Sequence, residues 1–183
     1  MFRRSVPLVL LLLTLPSFAL AAKDQTPPRA AAKPTGFHAQ FFADLDDLES
    51  KIVSLANATP ADKFGWRFSK DVRSISEVYM HIAGANYFLS SFVGVDAPKT
   101  NGDIEKTVTK KADVIAELRK SFVHLRNAAS GATDLETSVM MFGKQTNYQG
   151  VLVTMLNHLH EHLGQSIAYA RFNGIVPPWS VND

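Results

Sequence analysis

Apolar residues recur every three or four positions over most of the chain beyond residue 36, which is the spacing of amphipathic helices. The first such segment covers residues 37–57, and Thr59-Pro60 ends it because proline cannot continue a helix. The residues of this segment that would face a core are Phe41, Phe42, Leu45, Leu48, Ile52 and Leu55.

The same spacing predicts three further helices, over about 74–94, 105–129 and 146–172. The second begins in a capping box, in which Ser74 and Glu77 satisfy each other's backbone N–H groups. No segment alternates convincingly between apolar and polar residues, so no strand is predicted. Four helices of this length predict an all-α fold, a four-helix bundle.

Residues 1–22 have the three parts of a secretory signal peptide. Arg3 and Arg4 form the positive start, residues 6–15 form a short apolar stretch, and Ala19-Leu20-Ala21 is a cleavage signal. The alternative is an uncleaved membrane anchor, but the stretch is shorter than the ~20 apolar residues that span a bilayer. The mature protein is therefore expected in the periplasm or secreted, with no stable membrane insertion.

Residues 23–36 contain three prolines and no apolar side chain larger than alanine. Such a segment cannot bury enough apolar surface to fold, so it is predicted to be a disordered linker. The predicted organisation is thus a signal peptide at 1–22, a linker at 23–36 and a helical bundle at 37–180.

The charge balance argues against a nucleic-acid partner. The chain of 183 residues has 19 basic and 17 acidic side chains, and loss of Arg3 and Arg4 with the signal leaves 17 of each. With a net charge of zero, the sequence shows nothing that resembles the clustered positive surface needed to bind nucleic-acid phosphates. The chain contains no cysteine, which excludes disulfides and thiolate ligands. Symmetric dimers are the commonest oligomers, so a homodimer is one expectation.

The residues that suggest chemistry are histidines. His158 and His162 lie four residues apart, so a helix would present both on one face, where they could chelate a metal ion. His81, in the second predicted helix, could complete a set of three. His160 would fall at the opposite border of the apolar stripe and cannot join them. The spacing alone is weak evidence, because helical His-x-x-x-His pairs are often structural or surface residues.

Two known metal-binding patterns do not occur in the chain. A di-iron carboxylate bundle needs Glu-x-x-His on two helices, and the sequence contains none. A zincin needs His-Glu-x-x-His, and the residues after His160-Glu161 do not fit. Any metal would therefore bind through imidazoles. Two neighbouring residues keep open roles: Glu77 either caps its helix or serves the site, as a fourth ligand or as support for a ligand, and Gln165 could hydrogen-bond a ligand or a bound water.

Two longer motifs resemble the DinB/YfiT-like superfamily of metal-binding four-helix bundles, over roughly residues 37–180. The first is Trp66-Arg67-Phe68-Ser69, followed by Arg73-Ser74-x-x-Glu77-x-x-x-His81-Ile82-Ala83. The second, more specific motif is His158-x-x-x-His162-x-Gly164-Gln165, followed by Tyr169-x-Arg171-x-Asn173-Gly174-x-x-Pro177-Pro178. Phe68 departs from the family, which often has proline there, but it lies in a loop and puts no predicted ligand in doubt.

The resemblance implies an up-down-down-up bundle and a divalent metal held by His81, His158 and His162. Imidazole suits zinc, nickel and iron alike, and three such ligands leave coordination positions open, as in catalytic sites. Some relatives are thiol-dependent transferases or isomerases that use cytosolic thiols, which an exported protein would not meet.

The prediction is therefore an exported metal-binding bundle with hydrolase or transferase activity on an unknown small molecule. The alternatives are non-catalytic binding of a metal or small ligand, and a stress-related helical bundle.

Overall fold

The computed structural model of the protein describes residues 36–99 and 102–180. The predicted signal peptide at 1–22 lies outside these residues. The predicted linker does too, except for Gly36, which directly precedes the first helix. The following description concerns the helical part of the chain alone.

Four long helices form this part of the protein, as predicted. They are α1 (Phe37–Ala58), α2 (Ile75–Ser91), α4 (Lys111–Gly131) and α5 (Tyr148–Phe172). A one-turn helix, α3 (Ile104–Thr107), lies between α2 and α4. No helix in the described ranges is both long enough and apolar enough to cross a membrane.

The prediction of one continuous helix over 105–129 was wrong at its start. The chain leaves the helical conformation after Thr107, and Val108 is extended, with φ −104° and ψ 94°. Thr107, Val108 and Thr109 are consecutive β-branched residues, which form helix poorly because their side chains are restricted at χ1. Asp103 begins α3 by accepting a hydrogen bond from the Glu105 amide at 2.9 Å.

The second and third long helices run in the same direction. Lys106, just before α4, donates to Glu77 in the first turn of α2 at 2.9 Å. About two and a half turns further along both helices, Asn86 donates to Ser121 at 3.0 Å. Contacts that advance together along two helices require a parallel pair, so the chain crosses back along the bundle between them.

The first helix runs against α4. Lys111, the first residue of α4, donates to the Asn57 carbonyl at the end of α1 at 2.7 Å. Arg126, in the second half of α4, donates to Asp46 in the first half of α1 at 2.6 Å.

The last helix runs against α2 and so completes the order. Tyr169, near the end of α5, donates to the Arg73 carbonyl, two residues before α2, at 3.2 Å. The four long helices therefore run up-down-down-up, in the order that the family resemblance implied.

A short β-hairpin precedes α5, and the sequence pattern did not predict it. Strand β1 (Ser138–Met141) pairs antiparallel with β2 (Lys144–Asn147). Phe142 and Gly143 form the turn, with φ of 52° and 75°. Both values lie in the left-handed region, as in the two-residue turns that match the twist of a hairpin. Strands of four residues are too short to establish an alternating pattern, and the usual Asn-Gly signal is absent.

The core lies between the four long helices. In α1 the predicted inward positions are buried, except Phe42, which is half-buried against the core. In α4, Ala112 is exposed and Val114 is buried. At about 100° per residue, Val114 lies roughly 40° from the buried Leu118 around the helix, whereas Ala112 lies roughly 120° from it. The buried positions that α4 contributes are Val114, Leu118, Ser121, Phe122, Leu125, Ala128 and Ala129.

Candidate metal centre

The antiparallel pair α2 and α5 brings three histidines together. The His81 ring centroid lies 5.1 Å from that of His158 and 4.7 Å from that of His162. One ring nitrogen of each residue lies within 4.8 Å of the others. His160, which was predicted to lie elsewhere, is exposed, and its Nδ1 lies 2.9 Å from the Leu156 carbonyl of its own helix.

The spacing of the ring nitrogens suits a metal ion. The Nε2 atoms of His81 and His158 are 3.2 Å apart. Two nitrogens bound to one tetrahedral zinc at 2.0–2.1 Å lie about 3.3 Å apart. This pair is thus already at the separation that a shared ion requires, and the turn between His158 and His162 places the third ring beside them.

Glu105 orients His81. Its Oε1 lies 2.8 Å from His81 Nδ1, and its Oε2 accepts from Arg73 Nε at 2.8 Å. Burial raises the pKa of this carboxyl, but hydrogen bonds from Arg73 and His81 outweigh burial and lower it. An ionised carboxylate can only accept, so Nδ1 of His81 carries the hydrogen. The other ring nitrogen of His81, Nε2, faces the other histidines.

His162 is oriented by a chain of hydrogen bonds that starts at a backbone carbonyl. The Arg73 carbonyl can only accept, so the Tyr169 hydroxyl donates to it at 3.2 Å. The Tyr169 oxygen therefore accepts from the Gln165 amide nitrogen at 3.3 Å. That leaves the Gln165 Oε1, 2.8 Å from His162 Nδ1, as an acceptor. His162 accordingly has its hydrogen on Nδ1 and a free Nε2.

Within the part of the chain that the structure describes, His158 has no counterpart to the hydrogen-bond partners that orient the other two rings. Its Nδ1 is buried and has no hydrogen-bond partner in the described ranges. Burial, followed by the proximity of His162 and His81, lowers the pKa of His158 to about 4. Burial also lowers the pKa of His162. Both imidazoles are therefore neutral at neutral pH, which is the form that binds metals.

Glu77 caps its helix and does not join the histidines. The Ser74 amide donates to Glu77 Oε2 at 2.8 Å, and the Glu77 amide donates to the Ser74 hydroxyl at 3.3 Å. Lys106 and Arg67 pair with the same carboxylate. Burial would raise the Glu77 pKa, but these partners, led by Lys106, lower it to about 2. Of the two roles left open by the sequence, the capping role is confirmed.

Gln165 lies on the predicted face of α5, but its amide is used inside the protein. The sequence left its role open, with a ligand or a bound water as one partner, and in the structure it connects His162 to Tyr169. The Tyr169 hydroxyl is the second connection in this chain.

No sequence pattern indicated a role for Glu105. Its position two residues after a helix-capping aspartate marks only a helix start. Glu105 reaches His81, 24 residues away in the chain, because the segment before α4 folds back along α2. A sequence pattern along one helix cannot reveal a contact of this kind.

Two cavities lie close to the cluster: one is next to Glu105 and Gln165, the partners of His81 and His162, and only the other has histidines of the cluster in its wall. One, of about 470 Å³, has a charged lining that includes Arg67, Arg73 and Lys106, and Gln165 forms part of its wall. The other, of about 450 Å³, is mainly apolar, and His81 and His158 form part of its wall. The histidine cluster is therefore accessible to small molecules.

The sequence and the fold of the chain are both similar to those of known proteins. A sequence profile described as the DinB superfamily matches residues 44–166. The chain is also similar in structure to a DinB-like protein from Bacillus cereus, with a TM-score of 0.67 and 19% sequence identity. That alignment covers 75% of this chain and 93% of the other. No curated protein matches the sequence significantly.

Proposed function

The chain belongs to the DinB superfamily, and from this premise we propose that it binds one divalent metal ion through His81, His158 and His162. The observation that carries the proposal is the clustering of three imidazoles, two of which have Nδ1 engaged so that Nε2 is free. Neutral imidazoles suit zinc, nickel and iron, so the donor set fits the ion that the family resemblance implies.

We further propose that the site supports a hydrolase or transferase reaction on a small molecule. A divalent ion held by three histidines would act as a Lewis acid with open coordination positions. Glu105 and Gln165 would hold two of the rings in the tautomer that binds metal. Arg73 would keep Glu105 ionised, and the two cavities close to the cluster would admit the substrate.

A second candidate function is metal-dependent binding of a small ligand without turnover. It is favoured because the nearby carboxylates are already engaged in hydrogen bonds and ion pairs. Both oxygens of Glu105 are engaged, and those of Glu77 are engaged as well. Within the described ranges, no carboxylate joins the three histidines as a further donor. A general base would have to come from the substrate or from solvent. Turnover in a substrate screen separates the two candidates.

The metal proposal is tested by measuring the metal content of the purified protein and of two histidine variants. We expect about one divalent ion per chain in the wild type and in His160→Ala. His158→Ala should lose most of it, because a two-histidine site binds more weakly. His160 is a matched control, since it lies on the same helix and outside the cluster. Equal metal content in all three proteins, or none in the wild type, would contradict the proposal.

Export of the protein is a separate proposal, based on the signal sequence at residues 1–22. The mature protein should begin at Ala22 or Lys23. Mass spectrometry of the protein from fractionated cells tests this, and an intact N-terminus in the cytoplasmic fraction would contradict it.

A further inference from the structure

We infer that the histidine cluster has an apolar subsite, which binds the alkyl or aryl group of a small molecule whose polar head reaches the metal. The inference depends on the proposed metal site. Its basis is the cavity of about 450 Å³ that has His81 and His158 in its wall. Small-molecule pockets typically have volumes of about 300–1,000 Å³, so this cavity suits one organic group rather than a polymer.

The wall of the subsite is continuous with the His81 face of α2. Gly84, Ala85 and Phe88 follow His81 at spacings of three, four and seven, so they lie on the same face. Leu89 adds a further apolar side chain. These residues extend from the histidine cluster along the helix, and an apolar group lying against them would place its head at His81.

The opposite wall comes from α5. Thr154 lines the cavity one turn before His158. The Thr154 hydroxyl donates to the Gly150 carbonyl at 2.8 Å, so its hydrogen is already used within the helix. This wall therefore offers no free hydroxyl hydrogen to a ligand, which again favours an apolar group over a sugar or a peptide backbone.

The tip of the hairpin closes the far end of the subsite. The Phe142 ring centroid lies 6.0 Å from that of Phe88 and 5.7 Å from that of Phe92. Phe142 also has a left-handed backbone, with φ 52°, at a turn position where asparagine and glycine are favoured. A bulky side chain is disfavoured there, and in this fold its ring forms part of the cavity wall. Phe142 and Phe88 are 65% and 51% exposed, so a bound apolar group would cover both.

The subsite is tested with a series of straight-chain hydroxamates from acetohydroxamate to octanohydroxamate. Each binds a metal with the same head group, and only the alkyl chain differs. Affinity for the zinc-loaded protein is measured by calorimetry, and retention of zinc is checked after each titration. We expect affinity to rise about threefold for each added methylene until the chain fills the cavity.

Phe142→Asn is the decisive variant, because asparagine accepts the left-handed turn while removing the ring. We expect at least fivefold weaker binding of hexanohydroxamate, unchanged binding of acetohydroxamate and an equal or higher unfolding temperature. Loss of folding would therefore not explain the effect. Phe68→Asn is the control, since Phe68 is also a loop aromatic, 62% exposed, and lies outside this cavity.

Three results would overturn the inference. Equal affinity across the series, with acetohydroxamate still bound, would remove the subsite and leave the metal site intact. If affinity depends on chain length in Phe142→Asn as it does in the wild type, the hairpin does not form part of the subsite. A chain-length dependence lost on dilution to monomers would show that a second copy of the chain forms the subsite. By contrast, if the protein binds neither zinc nor acetohydroxamate, the metal proposal itself fails.

Discussion

Two side chains determine which nitrogen of His81 and of His162 faces the cluster, and neither is a histidine. Glu105 receives the Nδ1 hydrogen of His81, and Gln165 receives that of His162. Partners of this kind typically change metal affinity by about 10- to 100-fold when they are removed. The chemistry of the site is thus controlled at positions that no histidine pattern identifies.

Glu105→Gln should weaken metal binding by about tenfold, because the amide carries no charge to support His81 and leaves Arg73 unpaired. Competition with a coloured chelator measures this affinity. Glu49→Gln is the matched control, since Glu49 also pairs with an arginine, Arg126, at 3.0 Å and lies away from the histidines. Equal affinities in the two variants would show that Glu105 does not act on the metal site.

At the scale of single elements, the start of α2 is the most strongly determined feature. Glu77 is 6% exposed and completes the capping box with Ser74. The folded protein lowers its pKa from 4.5 to about 2, so the carboxylate stabilises the fold above pH 4.5. That stabilisation is lost as the pH falls from 4.5 through 2, because the unfolded chain takes up the proton first.

Glu77→Gln should therefore destabilise the metal-free protein by about 1–2 kcal/mol at pH 7, with a smaller difference from the wild type at pH 3. Urea unfolding at the two pH values measures both differences. Glu136→Gln, at an exposed position, should change stability by less than about 0.5 kcal/mol at either pH. A Glu77→Gln deficit that is the same at pH 3 as at pH 7 would contradict the prediction.

The elements that could be predicted from sequence are those whose signals are local and repeated. The periodic apolar residues of α1 indicate that helix, and the capping box of α2 indicates where α2 begins. The hairpin and α3 lack such signals, because α3 and both strands of the hairpin are only four residues long. Their conformations depend on contacts with the long helices, as Phe142 shows by packing against α2.

At the scale of the whole molecule, the pattern of apolar residues could not predict the directions in which the four long helices run. Both up-down-down-up and up-down-up-down satisfy the same helix lengths and apolar faces, and only the family resemblance favoured the first. The observed order matters for the site, because the return of the chain along α2 places Glu105 beside His81 and Lys106 beside Glu77. His81, His158 and His162 could be proposed from sequence, but the support for them depends on this crossover.

The proposed ion would connect α2 and α5, the two helices that contribute the histidines. An ion that binds only the folded state stabilises it by about 2.7 kcal/mol when its free concentration is 100 times the dissociation constant. For a domain of this size, that corresponds to a rise in unfolding temperature of roughly 5–15 °C. Hydrogen exchange should slow in α2 and α5 together, since neither helix could open without releasing a ligand.

His160→Ala should show the same metal-dependent rise in unfolding temperature as the wild type, whereas His81→Ala should show little or none. His81 is the one histidine that α2 contributes to the cluster, so its removal leaves two histidines, both on α5. Any residual metal in His81→Ala would then protect α5 without α2. Slower exchange of α2 on metal addition to His81→Ala would mean that the ion does not connect the helices through this residue.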